Sequence, residues 1–217
     1  MADTPVLPGL RPSGSSQAFA LPNLLTYFRL AAVPLLVIAF YLEGYVGRWL
    51  SLLIFLAACA SDFFDGYLAR VWRQTSAIGR LLDPIADKLL VVTSLALLAS
   101  DRTIGGWSLL PALIIFNREI FVSGLREFLA ELRVSVPVTR LAKWKTTMQM
   151  VAIGFLLLGP AGNRVFPSVT VTTPVGIVVG PVTFIGLTLL WISAIVTLYT
   201  GYDYFRAGLR HLLGQDR

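Results

Sequence analysis

The sequence predicts an all-α integral membrane protein of six transmembrane helices, and three observations predict it. Apolar residues make up 56% of the 217-residue chain and charged residues only 14%, with a mean hydropathy of +0.74. Several apolar runs reach the roughly 20 residues that a helix needs to cross a bilayer, more than a water-soluble core requires. The basic residues, which give a net charge of +6 and a pI near 9.8, are scattered between those runs. That distribution suits anionic lipid surfaces and charged substrates, and argues against nucleic acid as a partner. Cys59 is the only cysteine and lies in an apolar run, so it reads as a small buried residue and no intrachain disulfide is possible.

Residues 1–20 are rich in Pro, Gly and Ser and lack both helical periodicity and a basic stretch followed by an apolar core. They read as a disordered cytoplasmic tail, not a cleaved signal peptide. Pro22 then opens the first span, NLLTYFRLAAVPLLVIAFYL, with Pro placed well for a helix start and Pro34 placed to kink it. Arg29 comes early in this run, where it can snorkel to the interface or meet a phosphate. The second span, Trp49 to Arg70, carries Ala57, Ala58, Cys59 and Ala60, small residues that let helices approach closely in lipid. The third runs from about Arg80 to Ala99. Pro84 has no backbone donor, so its regular helix is expected to begin near Asp83.

The fourth span is expected from Trp107 to Leu129, with Asn117, Arg118, Glu119 and Arg126 in its later part. A basic stretch with Arg133, Arg140, Lys143 and Lys145 leads into the fifth, Leu141 to Leu158. Gly159 to Gly180 mixes Gly and Pro with alternating β-branched residues and reads as a surface loop with a short hairpin. The sixth span is Pro181 to about Phe205. This gives a six-helix transmembrane domain over residues 21–206 and a short basic cytoplasmic tail, with His211, over residues 207–217. Six spans put both termini on one side. The loops facing away from the termini contain only Arg48, Arg102 and Arg164 of the 18 Lys and Arg residues. The positive-inside rule then places both termini in the cytoplasm of a multi-pass inner-membrane protein.

Charge inside such a chain is costly and marks candidate sites. Four aspartates, Asp62, Asp65, Asp83 and Asp87, fall at the end of span two and the start of span three, at the cytoplasmic face. Taking Asp62 as zero at about 100° per residue, Asp65 falls near 300°, Gly66 near 40°, Ala69 near 340° and Arg70 near 80°. These five share one face. Gly79, Asp83 and Asp87, spaced by four, make a second stripe. The short loop is expected to set the two helices side by side, so that their carboxylates converge. Carboxylate oxygens are the hard ligands of Mg²⁺, Mn²⁺ and Ca²⁺, and four suit a pair of ions that steadies an in-line displacement. The bare backbone at Gly66 and Gly79 lets a bulky ligand approach, and Arg70 is suited to a phosphate. The competing structural reading pairs the aspartates with Arg70, Arg80 and Lys88 as interfacial salt bridges.

Asp62-x-x-Asp65-Gly66-x-x-Ala69-Arg70, eight residues, then Gly79-x-x-x-Asp83-x-x-x-Asp87 resembles the complete motif of the CDP-alcohol phosphotransferases. Further stretches are similar to the branch of that family that makes phosphatidylglycerol phosphate. They are Pro22–Arg29, Leu82–Lys88, Arg118-Glu119 with Leu125-Arg126-Glu127, and Lys143–Thr147. The likeness runs from Pro22 to Met150. It does not cover the first 20 residues, and the Gly159–Gly180 loop looks long for the family.

The resemblance implies a six-helix homodimer that uses divalent metal, Mg²⁺ or Mn²⁺ and two ions, to join CDP-diacylglycerol to glycerol 3-phosphate. It implies Asp62, Asp65, Asp83 and Asp87 as metal ligands, with Asp87 also as general base. Gly66, Arg70 and Gly79 would hold the cytidine diphosphate, with Asn23, Thr26 and Arg29 in reach of it. The acceptor is a water-soluble dianion that needs a cationic pocket. Arg118, Arg126, Lys143 and Lys145 are the candidates, with Glu119 and Glu127 orienting the arginines. Positive-inside anchoring is the bland alternative for Lys143 and Lys145. Other acceptors, namely serine, inositol phosphate or a phospholipid, stay open. A cation transporter would also need intramembrane aspartates, but the chain lacks the paired repeats and broken helices of one. A plain membrane anchor leaves four carboxylates unexplained.

Overall fold

The computed structural model describes residues 21–72, 77–131, 140–165, 170–172 and 178–214, with no account of the side chains of 21–22, 65–72, 77–81, 130–131, 140–143, 203 and 207–214. Six long helices make up these residues: α1 (Leu21–Phe40), α2 (Gly44–Trp72), α3 (Ala77–Ser100), α4 (Leu109–Glu131), α5 (Arg140–Asn163) and α6 (Pro181–Gly214). A 3₁₀ turn, Gly106–Ser108, leads into α4. Four stretches, Asn23–Phe40, Gly44–Phe64, Gly106–Leu129 and Pro181–Arg206, are long and apolar enough to cross a membrane. The remaining two helices, α3 and α5, carry charge early in their length, at Asp83, Asp87 and Lys88 and at Lys145. The expected loop after α5 does contain a hairpin, with Val171–Thr172 (β1) paired antiparallel to Val178–Val179 (β2).

Several boundaries differ from expectation. Helix α3 starts at Ala77, with Pro84 inside it. A proline costs the helix one hydrogen bond, yet α3 runs on through Pro84, which lines the cavity described below. Helix α5 likewise continues through Pro160 to Asn163, and α6 runs past Phe205 to Gly214. The larger difference is in packing. Among the described residues α2 and α3 touch each other sparsely, and both pack instead along α1. The first helix thus lies against the two that carry the acidic motif.

The core is a cluster of Leu36, Phe55, Leu90, Leu98, Ile115, Ile153, Leu157 and Leu190 drawn from all six helices. Large apolar residues such as Leu35, Ile38, Leu53, Leu113, Ile195 and Leu198 face outward, as expected of a bundle in lipid. The most extensive contact is α5 along α6, where small residues let the backbones close up. A Cβ on Gly186 would stand 2.8 Å from Leu156 Cγ, and one on Gly159 2.8 Å from Thr183 Oγ1. Asn163, the last residue of α5, caps α6: its Oδ1 accepts from the N–H groups of Val182 at 3.0 Å and Thr183 at 3.3 Å.

Where α2 begins and α3 ends, Arg48 forms an ion pair with Asp101. The Arg48 guanidinium also stacks 4.2 Å from the centre of the Phe40 ring, so it joins the ends of α1, α2 and α3. Asp101 accepts two further hydrogen bonds, from the Thr103 amide at 3.0 Å and the Thr103 hydroxyl at 2.8 Å.

Candidate active site

The site begins on α1. Asn23, Thr26 and Arg29 are spaced by three and lie on one face of the helix; all three are buried, Arg29 completely. That stripe points at the acidic helices. The Thr26 hydroxyl donates to Asp83 Oδ1. The Arg29 guanidinium spans two carboxylates, 3.1 Å from Asp62 on α2 and 3.3 Å from Asp87 on α3. Arg29 therefore does not snorkel to the interface: it sits inside the bundle as the cation that lets two acidic helices share one site. Ser61, one residue before Asp62, donates to the Leu25 carbonyl at 3.1 Å and pins α2 to the same face of α1.

Two carboxylates thus share one guanidinium, with Asp83 held beside them by Thr26, so among the described side chains the acids outnumber the cation. The side chains of Asp62 and Asp87 are 52% and 45% exposed, so neither is sealed into a closed ion pair. The donors are carboxylate oxygens with a threonine hydroxyl close by, the chemistry of a hard divalent cation and not of zinc or a softer metal. Among the described residues no three acidic, His or Cys side chains gather tightly enough to ligate an ion unaided. Of Asp65, Arg70 and Lys143, and of Gly66 and Gly79, the structure describes the helical backbone and not the side chains or their surroundings.

Beside Asp87 opens a cavity of about 460 Å³ whose walls come from α3, α4, α5 and α6. Asp87 forms part of its lining, and Arg118 and Arg126 from α4 form another part. The spacing of eight that put these arginines on one helix face brings both to the same space. Arg118 lies 3.5 Å from Glu119 Oε1 and 3.5 Å from the Thr200 hydroxyl, and packs 5.9 Å from the centre of the Tyr204 ring. Lys145 stands differently. It is 1% exposed, its ammonium is ion-paired with Glu119, and it is absent from the cavity lining. Glu119 accordingly links Lys145 on α5 to Arg118 on α4, while Glu127 lines the cavity beside Arg126.

The sequence offered Lys88 only as a salt-bridge partner of the aspartates and gave Ser123 no role. Lys88 follows Asp87 directly and donates a hydrogen bond to Ser123 on α4. Both line the cavity. The stripe Pro84, Asp87, Lys88, Val91 has the i, i+3, i+4, i+7 spacing of one helix face, a signal that could have found Lys88. Nothing in the sequence singles out Ser123.

The family model described as CDP-alcohol phosphatidyltransferase matches residues 19–199, so the likeness runs well beyond Met150 and through the Gly159–Gly180 segment. A protein of Cereibacter sphaeroides named CDP-diacylglycerol–glycerol-3-phosphate 3-phosphatidyltransferase is 40% identical over 216 residues, covering 89% of this chain and 97% of the relative. Proteins of the same name are 42% identical in Rickettsia bellii, covering 86% of this chain and 94% of the relative, and 41% identical in Pectobacterium atrosepticum, covering 90% and 98%.

Proposed function

The chain belongs to the CDP-alcohol phosphatidyltransferase family, and on that premise we propose that it transfers the phosphatidyl group of CDP-diacylglycerol to glycerol 3-phosphate, giving phosphatidylglycerol phosphate and CMP. One observation carries the reading: the carboxylate cluster and a cavity lined by two arginines meet at a single residue, Asp87. A reaction between a pyrophosphate donor and an anionic alcohol needs such a junction. The names of the relatives supply the identity of both substrates.

Asp62, Asp65, Asp83 and Asp87 would hold the divalent metal, Mg²⁺ or Mn²⁺ and two ions on this reading. When bound, the metal neutralises the donor's pyrophosphate and the charge that builds on the leaving oxygen. The chain's own groups do the rest. Asp87, in the lining of the cavity, takes the proton of the acceptor hydroxyl as the hydroxyl oxygen attacks the phosphatidyl phosphorus and the bond to CMP breaks. Gly66, Arg70 and Gly79 hold the cytidine diphosphate. Asn23, Thr26 and Arg29 act behind it: Thr26 and Arg29 hold Asp83, Asp62 and Asp87 in place. Arg118 and Arg126 receive the acceptor's phosphate. Lys145 serves that pocket through Glu119, and Lys143 belongs to the same basic stretch.

The six helices would all cross the inner membrane, with both termini and the active site on the cytoplasmic side and the protein assembled as a homodimer. Positive-inside charge and the solubility of glycerol 3-phosphate both support that orientation. The deciding experiment offers purified protein CDP-diacylglycerol with glycerol 3-phosphate, serine, inositol phosphate or a phospholipid, and measures CMP release. Release with glycerol 3-phosphate alone is expected. Preference for another acceptor would keep the family chemistry and overturn the assignment.

A further inference from the structure

Two lysines near the cavity are held in opposite ways. Lys145 is ion-paired with Glu119, so its charge is spent inside the protein. Lys88 has no carboxylate partner among the described residues; its ammonium is held by the neutral hydroxyl of Ser123. A hydroxyl fixes the position of an ammonium without cancelling its charge, and an ammonium has three donors of which Ser123 occupies one. Because Lys88 lines the cavity, its remaining donors and its whole charge stay available to whatever enters. A lysine stem is otherwise floppy, and anchoring it in advance lowers the entropy lost when an anion binds.

Lys88 also stands beside Asp87, about 100° further around the helix axis. A base and a cation offset in this way can address the two ends of one small molecule, a hydroxyl at one and an anion at the other. We propose that Lys88 binds the phosphate of the acceptor and that Ser123 is a positioning residue that aims its ammonium into the cavity. The pair would add to the site a preference for phosphorylated over neutral acceptors. The inference rests on the acceptor assignment above.

The test uses full-length protein with Mg²⁺ and the variants Lys88→Met, Ser123→Ala and Ser123→Thr. KM is measured separately for glycerol 3-phosphate and CDP-diacylglycerol, with inorganic phosphate as a competitor against the acceptor. Loss of a charge-assisted hydrogen bond predicts a roughly ten- to hundredfold rise in acceptor KM for Lys88→Met. Phosphate inhibition should weaken in parallel and the KM for CDP-diacylglycerol should stay put. Ser123→Ala should shift the same constants by several-fold, and Ser123→Thr, which keeps the hydroxyl, should behave like wild type. If Lys88→Met does not fold, the two Ser123 variants decide alone. An unchanged acceptor KM, or an equal rise for both substrates, overturns the proposal. Wild-type protein that ignored glycerol 3-phosphate while using another acceptor would instead sink the activity assignment beneath it.

Discussion

Two arginines tie the same three helices together in different ways. Arg48, on α2, pairs with Asp101 after α3 and stacks on Phe40 of α1. Arg29, on α1, reaches Asp62 of α2 and Asp87 of α3. About 16 Å of helix separates Arg29 from Phe40 along α1, taking 1.5 Å per residue. At the Arg48 end one cation meets one carboxylate, and Asp101 also accepts from the Thr103 amide and hydroxyl. At the Arg29 end two carboxylates share one cation among the described side chains, and Asp62 and Asp87 are about twice as exposed as the 22% of Asp101. A balanced pair is a joint. An acidic surplus left open to a cavity is a place prepared for a ligand.

The strongest way to break this contrast is to remove an acid from the open cluster. Asp83→Asn keeps the hydrogen bond from Thr26 possible and the volume unchanged, but loses a negative charge. Turnover should fall about a thousandfold or more, the several kcal/mol that metal-assisted charge stabilisation supplies. CMP release and size-exclusion behaviour, measured together, check both halves of the expectation. Full activity would remove Asp83 from the metal-binding set.

Next comes the cavity. Arg126→Ala should raise KM for glycerol 3-phosphate by roughly ten- to hundredfold, the worth of a charged hydrogen bond, with little change for the lipid donor. Initial rates with each substrate varied in turn give the split. An unchanged acceptor dependence would place Arg126 outside the pocket.

Much of this site was legible in the residues themselves, and the rest was not for identifiable reasons. Asp83 and Asp87 could be placed on one face because a helix imposes a period on its own side chains, and Arg118 and Arg126 meet the same cavity by the same rule. Which helix lies beside which is a different kind of information. A short connection suggested that α2 and α3 pair directly, yet α1 takes the contact with both, because its buried Thr26 and Arg29 offer the acids partners that apolar faces cannot. The bond from Lys145 to Glu119 links residues 26 apart, beyond the reach of any local pattern. Pro84 misled for a related reason: a proline disfavours the helix locally, but the packing of the whole of α3 overrides one lost hydrogen bond.

A pair of matched substitutions sharpens the comparison of the two arginines directly. Arg29→Gln leaves the acidic cluster without its cation and should lower the unfolding temperature by several degrees in chelator. Divalent metal, binding the native state alone, should restore much of that loss. Arg48→Gln should lower it as well, but by the same amount with or without Mg²⁺. Thermal unfolding in detergent, each variant with Mg²⁺ and with chelator, reads the difference. Equal responses to metal in the two variants would erase the distinction between joint and ligand site.

The smallest expected effect belongs to the balanced end. Asp101→Asn can keep Oδ1 as the acceptor for the Thr103 amide, while the amide nitrogen in place of Oδ2 no longer accepts from Arg48 or the Thr103 hydroxyl. The pair is partly exposed, at 15% and 22%, so solvent screens it and its loss should cost about 1 kcal/mol or less. The stacking of Arg48 on Phe40 survives and retains roughly 0.5 kcal/mol or more of the contact. CMP release should stay within about twofold of wild type, since no charge near Asp87 has changed. A large loss of activity here would mean that the far end of α3 is coupled to the acidic cluster, about 21 Å away along the helix by its rise per residue. The two arginines would then be parts of one mechanism and not a joint and a site.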